Sequence, residues 1–198
     1  MSPLLLASAS AVRARLLRAG GVPFEVCPAG VDEDEIKATL LADGAQAAAI
    51  ADTLAELKAI RVSAKNPQAL VLGCDQVLVF EGRMVDKSPD MAGARALLQQ
   101  LCGKQHTLAT ACVLARGGSP IWRRHEEARL WMRRFSEGFL QDYLSAEGDA
   151  ILGSVGCYHL EGRGAQLFER VEGDYFSVLG LPLIPLLAVL RDHGVIRQ

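Results

Sequence analysis

The sequence predicts an α/β fold built on a mixed sheet, and three observations support this class. Strand and helix patterns alternate through the first half of the chain. Two long strand patterns follow, at 105–115 and 120–133, and the turn Arg116-Gly117-Gly118-Ser119 joins them as an antiparallel ribbon. Helix patterns and glycine-rich turns fill the last third. The alternation and the ribbon together predict a sheet with both parallel and antiparallel pairs.

Apolar periodicity and turn residues locate the individual elements. The strand patterns are Pro3–Ala7, Phe24–Cys27, Ala69–Gly73, Val77–Phe80, Gln105–Ala115 and Pro120–Arg133. The helix patterns are Val12–Ala19, Ala45–Lys65, Met91–Leu101, Glu137–Ser145 and Leu183–Asp192. Gly20-Gly21 suits a left-handed cap on the first helix, and Asn66-Pro67 closes the long alanine-rich one. No long linker divides the chain, so we expect one domain over 1–198.

Composition narrows the classes of function. The net charge of −2 provides no basic surface for nucleic acid, so any polyanion must meet locally placed charges. The longest apolar stretch, Val178 to Leu190, is cut by two prolines, and the N-terminus lacks the features of a signal peptide. The five cysteines form no CxxC pair, which favours buried free thiols in a reducing compartment. We therefore expect a cytoplasmic protein without a membrane partner.

The opening of the chain predicts a strand that leads directly into a helix. An apolar run ends at Ser8 and Ser10, Arg13 follows, and a helical pattern continues to Leu16-Leu17. A helix N-terminus has free N–H groups and a positive dipole end, which suit a phosphate. The alternative is that a serine only caps the helix and Arg13 is solvated.

Three charged residues have both a functional and a structural interpretation. Asp75 interrupts the apolar run 69–79, either as a turn residue or as a carboxylate that binds a divalent cation or orients water. Glu33 belongs to the acidic run 31–35, which by itself is typical of a solvated face or a first helical turn. Lys58 lies on the long helix, where a single lysine usually faces solvent.

The pattern Ser-x-Ser-x-x-Arg-x-x-Leu-Leu resembles the signature of the Maf family of nucleoside triphosphate pyrophosphatases. Glu-Gly-Asp-Tyr-Phe-Ser-Val-Leu-Gly-Leu-Pro at 172–182 resembles a second Maf segment, with Ser177 where asparagine is usual. The resemblance extends from Leu4 to about Gly194. It implies the Maf and ITPase-like architecture: a twisted mixed sheet flanked by helices, with two intimate lobes around a central cleft. It also implies hydrolysis of a nucleotide to its monophosphate and pyrophosphate, and possible homodimers.

The resemblance assigns roles to particular residues. Asp75 matches the proton acceptor of the family, and Glu33 matches a glutamate in a loop that reaches the site, where both would hold Mg²⁺ or Mn²⁺. Lys58 and Lys87 match lysines that face the phosphates, although Asp86 and Ser88 replace the glycine and proline of the family's Gly-Lys-Pro motif. The implied catalytic residues are Asp75, Glu33, Lys58 and Lys87. The implied substrate-binding residues are Ser8, Ser10, Val12, Arg13, Gln76 and Glu161.

Three of these positions, 12, 76 and 161, are linked to the choice of nucleotide base within the family. The dTTP/UTP type has Arg, Thr and Gln there, and the 7-methyl-GTP type has Trp, Gln and Glu. This chain has Val12, Gln76 and Glu161, so two of the three match the 7-methyl-GTP type. We expect 7-methyl-GTP as substrate. The alternatives are a dTTP/UTP pyrophosphatase of the same family and a non-catalytic, nucleotide-binding regulator of cell division.

Overall fold

The computed structural model describes residues 4–197, which form a mixed sheet flanked by helices. The strands are β1 (Leu4–Leu6), β2 (Phe24–Val26), β3 (Val71–Phe80), β4 (Arg83–Val85), β5 (Gln105–Arg116), β6 (Ser119–Met132) and β7 (Phe168–Glu172). The helices are α1 (Ala11–Ala19), α2 (Glu33–Ala42), α3 (Ala47–Lys65), α4 (Met91–Leu101), α5 (Glu137–Glu147), α6 (Tyr175–Val178) and α7 (Leu183–Asp192). Two short 3₁₀ segments span Gly148–Gly153 and Arg163–Leu167. The α/β class is confirmed.

The sheet combines parallel and antiparallel pairs, as predicted. Its order is β2-β1-β3-β5-β6-β7, and β4 pairs with the end of β3. Strand β1 is parallel to both β2 and β3, whereas β3, β5, β6 and β7 are antiparallel neighbours. The β5–β6 ribbon turns at Gly117 and Gly118, whose φ angles of +56° and +80° suit a tight hairpin.

One edge of β3 is shared by two short strands that leave a gap between them. On that edge β1 pairs with Val71 and Leu72, and β4 pairs with Leu78 to Phe80. Within the described chain, no strand pairs with residues 73–77 on this side. Successive side chains of a strand point to opposite faces. An opening in the sheet at this place therefore lets Asp75 from one face and Gln76 from the other reach the same space.

Strand β3 corrects the prediction of two strands separated at Asp75. Cys74, Asp75 and Gln76 remain extended because they pair directly with Cys112, Ala111 and Thr110 of β5. The interpretation of Asp75 as a turn residue is therefore wrong. Local sequence suggested a break because a carboxylate inside an apolar run is costly to bury, and the partner that compensates it lies on another element.

Several short or exposed elements were not predicted, among them α2 and β7, and α2 changes the setting of Glu33. Glu33 begins helix α2 behind Asp32, whose side chain accepts from Glu35 N, so its placement in a loop is wrong. Helix α2 has no fully buried residue, and only Ile36 and Leu40 pack, partly buried, against the core, so its apolar stripe is too short for periodicity to detect. Strand β7 pairs only with β6 and is mostly exposed.

Helix α3 packs closely against the middle of β3 at Gly73. A Cβ atom at Gly73 would lie 2.2 Å from the carbonyl oxygen of Ala55 and 2.7 Å from the nitrogen of Ala59. Only glycine permits this approach, and the alanines of α3 let the two backbones come together. The result is that Lys58, between those alanines, lies directly against the middle of β3.

Several helix ends follow the sequence predictions. Ser10 caps α1 by accepting from Arg13 N at 3.3 Å, and Gly21 has φ +69° just after that helix. Helix α3 ends at Lys65, before Asn66-Pro67. The predicted strand start at Pro3 lies outside the described residues.

The predicted free thiols are present, with varied burial. All five cysteines are unpaired; Cys74, Cys112 and Cys157 are buried, whereas Cys27 and Cys102 are half-buried. Among residues 4–197, none of the helices combines the length and the apolar character needed to cross a lipid bilayer.

His106 is expected to make stability depend on pH. It is 2% exposed, its Nε2 lies 2.7 Å from the Tyr158 hydroxyl, and its Nδ1 has no partner among the described residues. Burial lowers the pKa of His106 from 6.5 to about 4. Between pH 6.5 and pH 4 the unfolded chain therefore binds more protons than the folded chain. The free energy of unfolding should keep its full value above pH 6.5 and fall by about 3 kcal/mol towards pH 4.

Urea unfolding of wild type and His106→Gln across this pH range tests the prediction. Glutamine keeps an amide near Tyr158 but does not titrate, so the free energy of unfolding of the variant should vary much less. Equal pH dependence in both proteins would show that other groups cause it.

Candidate active site

A cleft of about 490 Å³ opens where β3 lacks a strand partner. This volume lies in the range of pockets that take small-molecule ligands. All ten residues predicted to act in catalysis or substrate binding line it: Ser8, Ser10, Val12, Arg13, Glu33, Lys58, Asp75, Gln76, Lys87 and Glu161. They come from the β1–α1 turn, α1, α2, α3, β3, the segment after β4 and the loop before the second 3₁₀ segment. The fold thus gathers positions that span most of the chain.

Lys58 lies between two carboxylates on the floor of the cleft. Its Nζ is 2.6 Å from Asp75 Oδ1 and 2.8 Å from Glu33 Oε1. The side chains of Lys58 and Asp75 are 7% and 8% exposed, so the interpretation of Lys58 as a solvent-facing lysine is wrong. Burial alone would raise the pKa of Glu33, but Lys58, with Lys37 and Lys87, holds it below its ordinary value. Glu33 is therefore held as an anion beside Lys58.

Arg13 connects three elements around the cleft. Its Nη1 donates to Ser8 Oγ at 3.0 Å and to Cys74 O at 2.9 Å, and its Nε donates to Gly180 O at 2.8 Å. The Cys74 carbonyl lies on the unpaired edge of β3, so Arg13 satisfies a group that a strand would otherwise bind. The residue is 8% exposed, which contradicts the alternative of a solvated Arg13.

The start of α1 presents donors to the same space. Ser8 Oγ accepts from Ser10 N at 3.3 Å, and Ser10 Oγ caps the helix, so the capping role of serine is confirmed. The N–H groups of Ala11 and Val12 lie in the first turn, where a helix offers no internal acceptor, and both residues line the cleft. This geometry suits an anion at the helix N-terminus.

Lys37 is a lining residue that sequence reasoning missed. Its Nζ lies 3.1 Å from Asp86 Oδ1, and this contact raises the pKa of Lys37 above its ordinary value although burial opposes the charge. Asp86 is the residue that replaces the expected glycine. Glu33 and Lys37 are four apart, so they share a face of α2. That spacing was visible in the sequence, but it indicates nothing until the segment is known to be helical.

Gln76 and Glu161 both line the cleft and have different partners. Gln76 Nε2 lies 2.8 Å from Thr110 Oγ1, 3.0 Å from Ser177 O and 3.1 Å from Val178 O. Glu161 forms an ion pair with Arg15, whose side chain is 58% exposed. Glu161 is therefore already partnered by a cation at the rim.

Another wall of the cleft comes from a part of the chain for which the sequence indicated little. Residues 150–160 contribute several lining side chains and backbone groups: Ala150, Gly153, Ser154, Val155, Tyr158, His159 and Leu160. The segment consists of a 3₁₀ turn and loops. Irregular backbone has no periodicity, so only the folded chain reveals this wall.

Comparison with known proteins identifies the family. Residues 3–193 match the family model described as "Maf-like protein". A relative from Granulibacter bethesdensis is 54% identical over 190 residues, which cover 96% of each chain. A relative from Caulobacter vibrioides is 50% identical over 196 residues, which cover 99% of this chain and 98% of the relative. Both relatives are named "Nucleoside triphosphate pyrophosphatase".

The chain belongs to the Maf family. The match runs through every element that contributes to the cleft. The resemblance seen in the opening motif and in the segment 172–182 is confirmed at the level of the family.

The Maf resemblance also implies a divalent cation, and the residues present fit one. Asp75 and Glu33 each use a single carboxylate oxygen to bind Lys58, so each has a second oxygen for another ligand. Within residues 4–197 no group of three or more His, Cys, Asp or Glu side chains is placed to hold a metal. Mg²⁺ commonly takes one or two carboxylates and completes its shell with water and substrate phosphates, which is the arrangement this donor set allows.

Proposed function

We propose that this chain hydrolyses a nucleoside triphosphate to the monophosphate and pyrophosphate, with Asp75, Glu33, Lys58 and Lys87 in the catalytic centre. The enzyme class follows from the family and from full-length relatives: the chain is a hydrolase that acts on phosphoric anhydrides. The observation that supports the site assignment is the buried Lys58, held between Asp75 and Glu33 on the floor of the cleft.

Binding of the polyphosphate is the first task of the site. A triphosphate carries about four negative charges, and the protein itself is acidic, so local cations must neutralise it. Arg13, Lys37, Lys58 and Lys87 all line the cleft, and the first turn of α1 adds backbone donors. Lys87 forms no ion pair with the described residues and is exposed, so it is available to a phosphate.

Activation of water is the second task. Asp75 Oδ1 binds Lys58, which orients the carboxylate, and Oδ2 accepts no hydrogen bond from the described residues. This free oxygen supports a role for Oδ2 as the acceptor of the proton from a water that attacks the α-phosphorus. The bond from that phosphorus to the bridging oxygen breaks, and pyrophosphate leaves. Because a carboxylate oxygen has two lone-pair sites, Oδ2 can contact a water and also, together with Glu33, a divalent cation, which would supply further charge stabilisation for the phosphates.

Release of pyrophosphate from a panel of nucleoside triphosphates, with and without Mg²⁺, tests the proposal. We expect stoichiometric monophosphate and pyrophosphate, and strong loss of turnover in excess chelator. Release of inorganic phosphate with a diphosphate product would mean attack at the γ-phosphorus. Tight nucleotide binding without any product would support the non-catalytic regulator.

Within this activity we propose 7-methyl-GTP as the preferred substrate. Methylation at N7 adds a positive charge to guanine, and Glu161 lines the cleft with a negative one. Val12 is only half-buried and supplies no aromatic face for the cationic base, so the preference has to come mainly from charge and hydrogen bonds. A wild type that prefers dTTP or UTP outright would replace this assignment with the alternative subtype.

Substitutions of Glu161 and Arg15 should change this preference in opposite directions. Glu161→Gln removes the negative charge, and we expect the ratio of kcat/KM for 7-methyl-GTP over GTP to fall about tenfold. Arg15→Gln removes the competing cation and frees Glu161 for the base, so the same ratio should rise. Competition assays measure both ratios. If neither variant changes the ratio, Glu161 does not read the base.

A further inference from the structure

The orientation of the Gln76 amide is fixed by its acceptors. Its terminal group faces the backbone oxygens of Ser177 and Val178 at 3.0 and 3.1 Å. A carbonyl oxygen can only accept, so the group that faces both must be the NH₂ and not the oxygen. The reverse orientation would place three oxygens together in a part-buried site. The amide oxygen Oε1 therefore points away from α6.

Thr110 completes this arrangement from the neighbouring strand. It pairs directly with Gln76 across β3 and β5 and is 1% exposed. Its hydroxyl lies 2.9 Å from Ser177 O and 2.8 Å from Gln76 Nε2. Because the hydroxyl proton is donated to Ser177 O, the oxygen lone pair accepts from Gln76. Thr110 thus holds both the amide and the carbonyl that the amide binds.

The free side of the Gln76 amide faces the cleft. Both Gln76 and Gly180 line the cavity. A Cβ atom at Gly180 would lie 3.8 Å from Gln76 Oε1 and 3.6 Å from Arg13 Nη2. Gly180 has φ +90°, so a side chain at this position would be strained. No described residue donates a hydrogen bond to Oε1, which leaves it for a ligand.

We infer that Thr110 is a positioning residue that presents Gln76 Oε1 to the substrate as a fixed acceptor. The group it recognises is a donor, and in a nucleotide base of the guanine or uracil type this is the ring N–H. This inference rests on the proposed function, because it assigns the base to the side of the cleft formed by Gln76 and Gly180. Without the Thr110 hydroxyl, the amide loses one of its three acceptors and Ser177 O loses a donor, so the amide is held less firmly and Oε1 is presented less precisely.

The test compares substrates that keep or lack the ring N–H. The two candidate pairs are GTP with 1-methyl-GTP and UTP with 3-methyl-UTP. The experiment uses the pair whose unmethylated nucleotide the wild type hydrolyses faster. We expect the wild type to favour the unmethylated nucleotide by at least tenfold in kcat/KM, because the analogue leaves Oε1 unpaired. Thr110→Val should reduce this ratio to about threefold or less, through slower turnover of the unmethylated nucleotide.

Two further variants separate positioning from general stability. Thr110→Ser keeps the hydroxyl and should retain the wild-type ratio. Ser63→Ala removes another buried hydroxyl, which accepts from Gly118 N far from the cleft, and should lower Tm without changing the ratio. If Thr110→Val does not fold, Thr110→Ala removes the same hydroxyl with less crowding and replaces it in the comparison.

The outcomes are distinct. A lowered ratio in Thr110→Val that Thr110→Ser restores supports the inference. An unchanged ratio, or an equal loss on both nucleotides of the pair, overturns it and leaves the proposed function standing. Absence of pyrophosphate release from every triphosphate by the wild type overturns both.

Discussion

Replacing Asp75 by asparagine is expected to lower kcat by about 10²–10⁴-fold, the usual contribution of a general base. Asparagine is nearly isosteric and preserves the pairing of β3 with β5, which involves only backbone groups at this position. It lacks the anionic oxygen that would accept the proton of the attacking water. Lys58 keeps Glu33 as a partner at 2.8 Å, so the floor of the cleft retains one ion pair. We therefore expect the substitution to lower kcat while the protein remains folded.

Steady-state pyrophosphate release measures the effect, and thermal unfolding confirms that the variant is folded. Asp52→Asn is the matched control, because Asp52 lies on α3, is half-exposed and pairs with His125 outside the cleft. It should keep wild-type activity. Retention of more than about a third of the activity by Asp75→Asn would remove Asp75 from the role of base.

Replacing Lys58 by methionine should have the second largest effect. Methionine is similar in length but carries no charge, so Asp75 and Glu33 would face each other without a cation between them. We expect kcat/KM to fall about 10²–10³-fold, as when a preorganised stabilising group is removed. Stability should fall by about 3 kcal/mol, because an almost fully buried carboxylate loses its partner.

The variant should also change how stability responds to acid. In the wild type, Lys58 is the main group that lowers the pKa of Glu33 against the opposing effect of burial. A lowered pKa stabilises the folded state above the ordinary value of 4.5, and this contribution is lost as pH falls through the folded value. Lys58→Met removes the contribution, so its stability should fall less on acidification.

Urea unfolding at neutral and acidic pH measures both changes. Lys104→Met is the control, since Lys104 is half-exposed and pairs with Glu81 at the surface. An exposed pair of this kind contributes little, so activity and stability should stay close to wild type. A Lys58→Met protein with wild-type kcat/KM would show that the buried pair serves folding alone.

Much of the fold could be predicted where local signals are strong. Helices α4 and α7 have the predicted bounds, and the β5–β6 ribbon turns at the predicted glycines. Helix α2 and strand β7 were not predicted because neither presents a fully buried apolar stripe. The break predicted at Asp75 failed for another reason: the compensating charge of Lys58 lies 17 residues away in sequence.

The sequence by itself determined which residue types are available and how the chain begins and ends its strongest elements. Ser10 as a cap, the glycine turn of the ribbon and the Maf motif residues follow from local stereochemistry and resemblance. Only the tertiary structure decided that Asp75 and Gln76, neighbours on opposite faces of β3, share one cleft, because β1 and β4 leave part of that strand unpaired. It also decided that Lys58 is buried between two carboxylates and that Thr110 contacts the Gln76 amide. These facts depend on contacts between residues distant in sequence, and local propensity has no information about such distances.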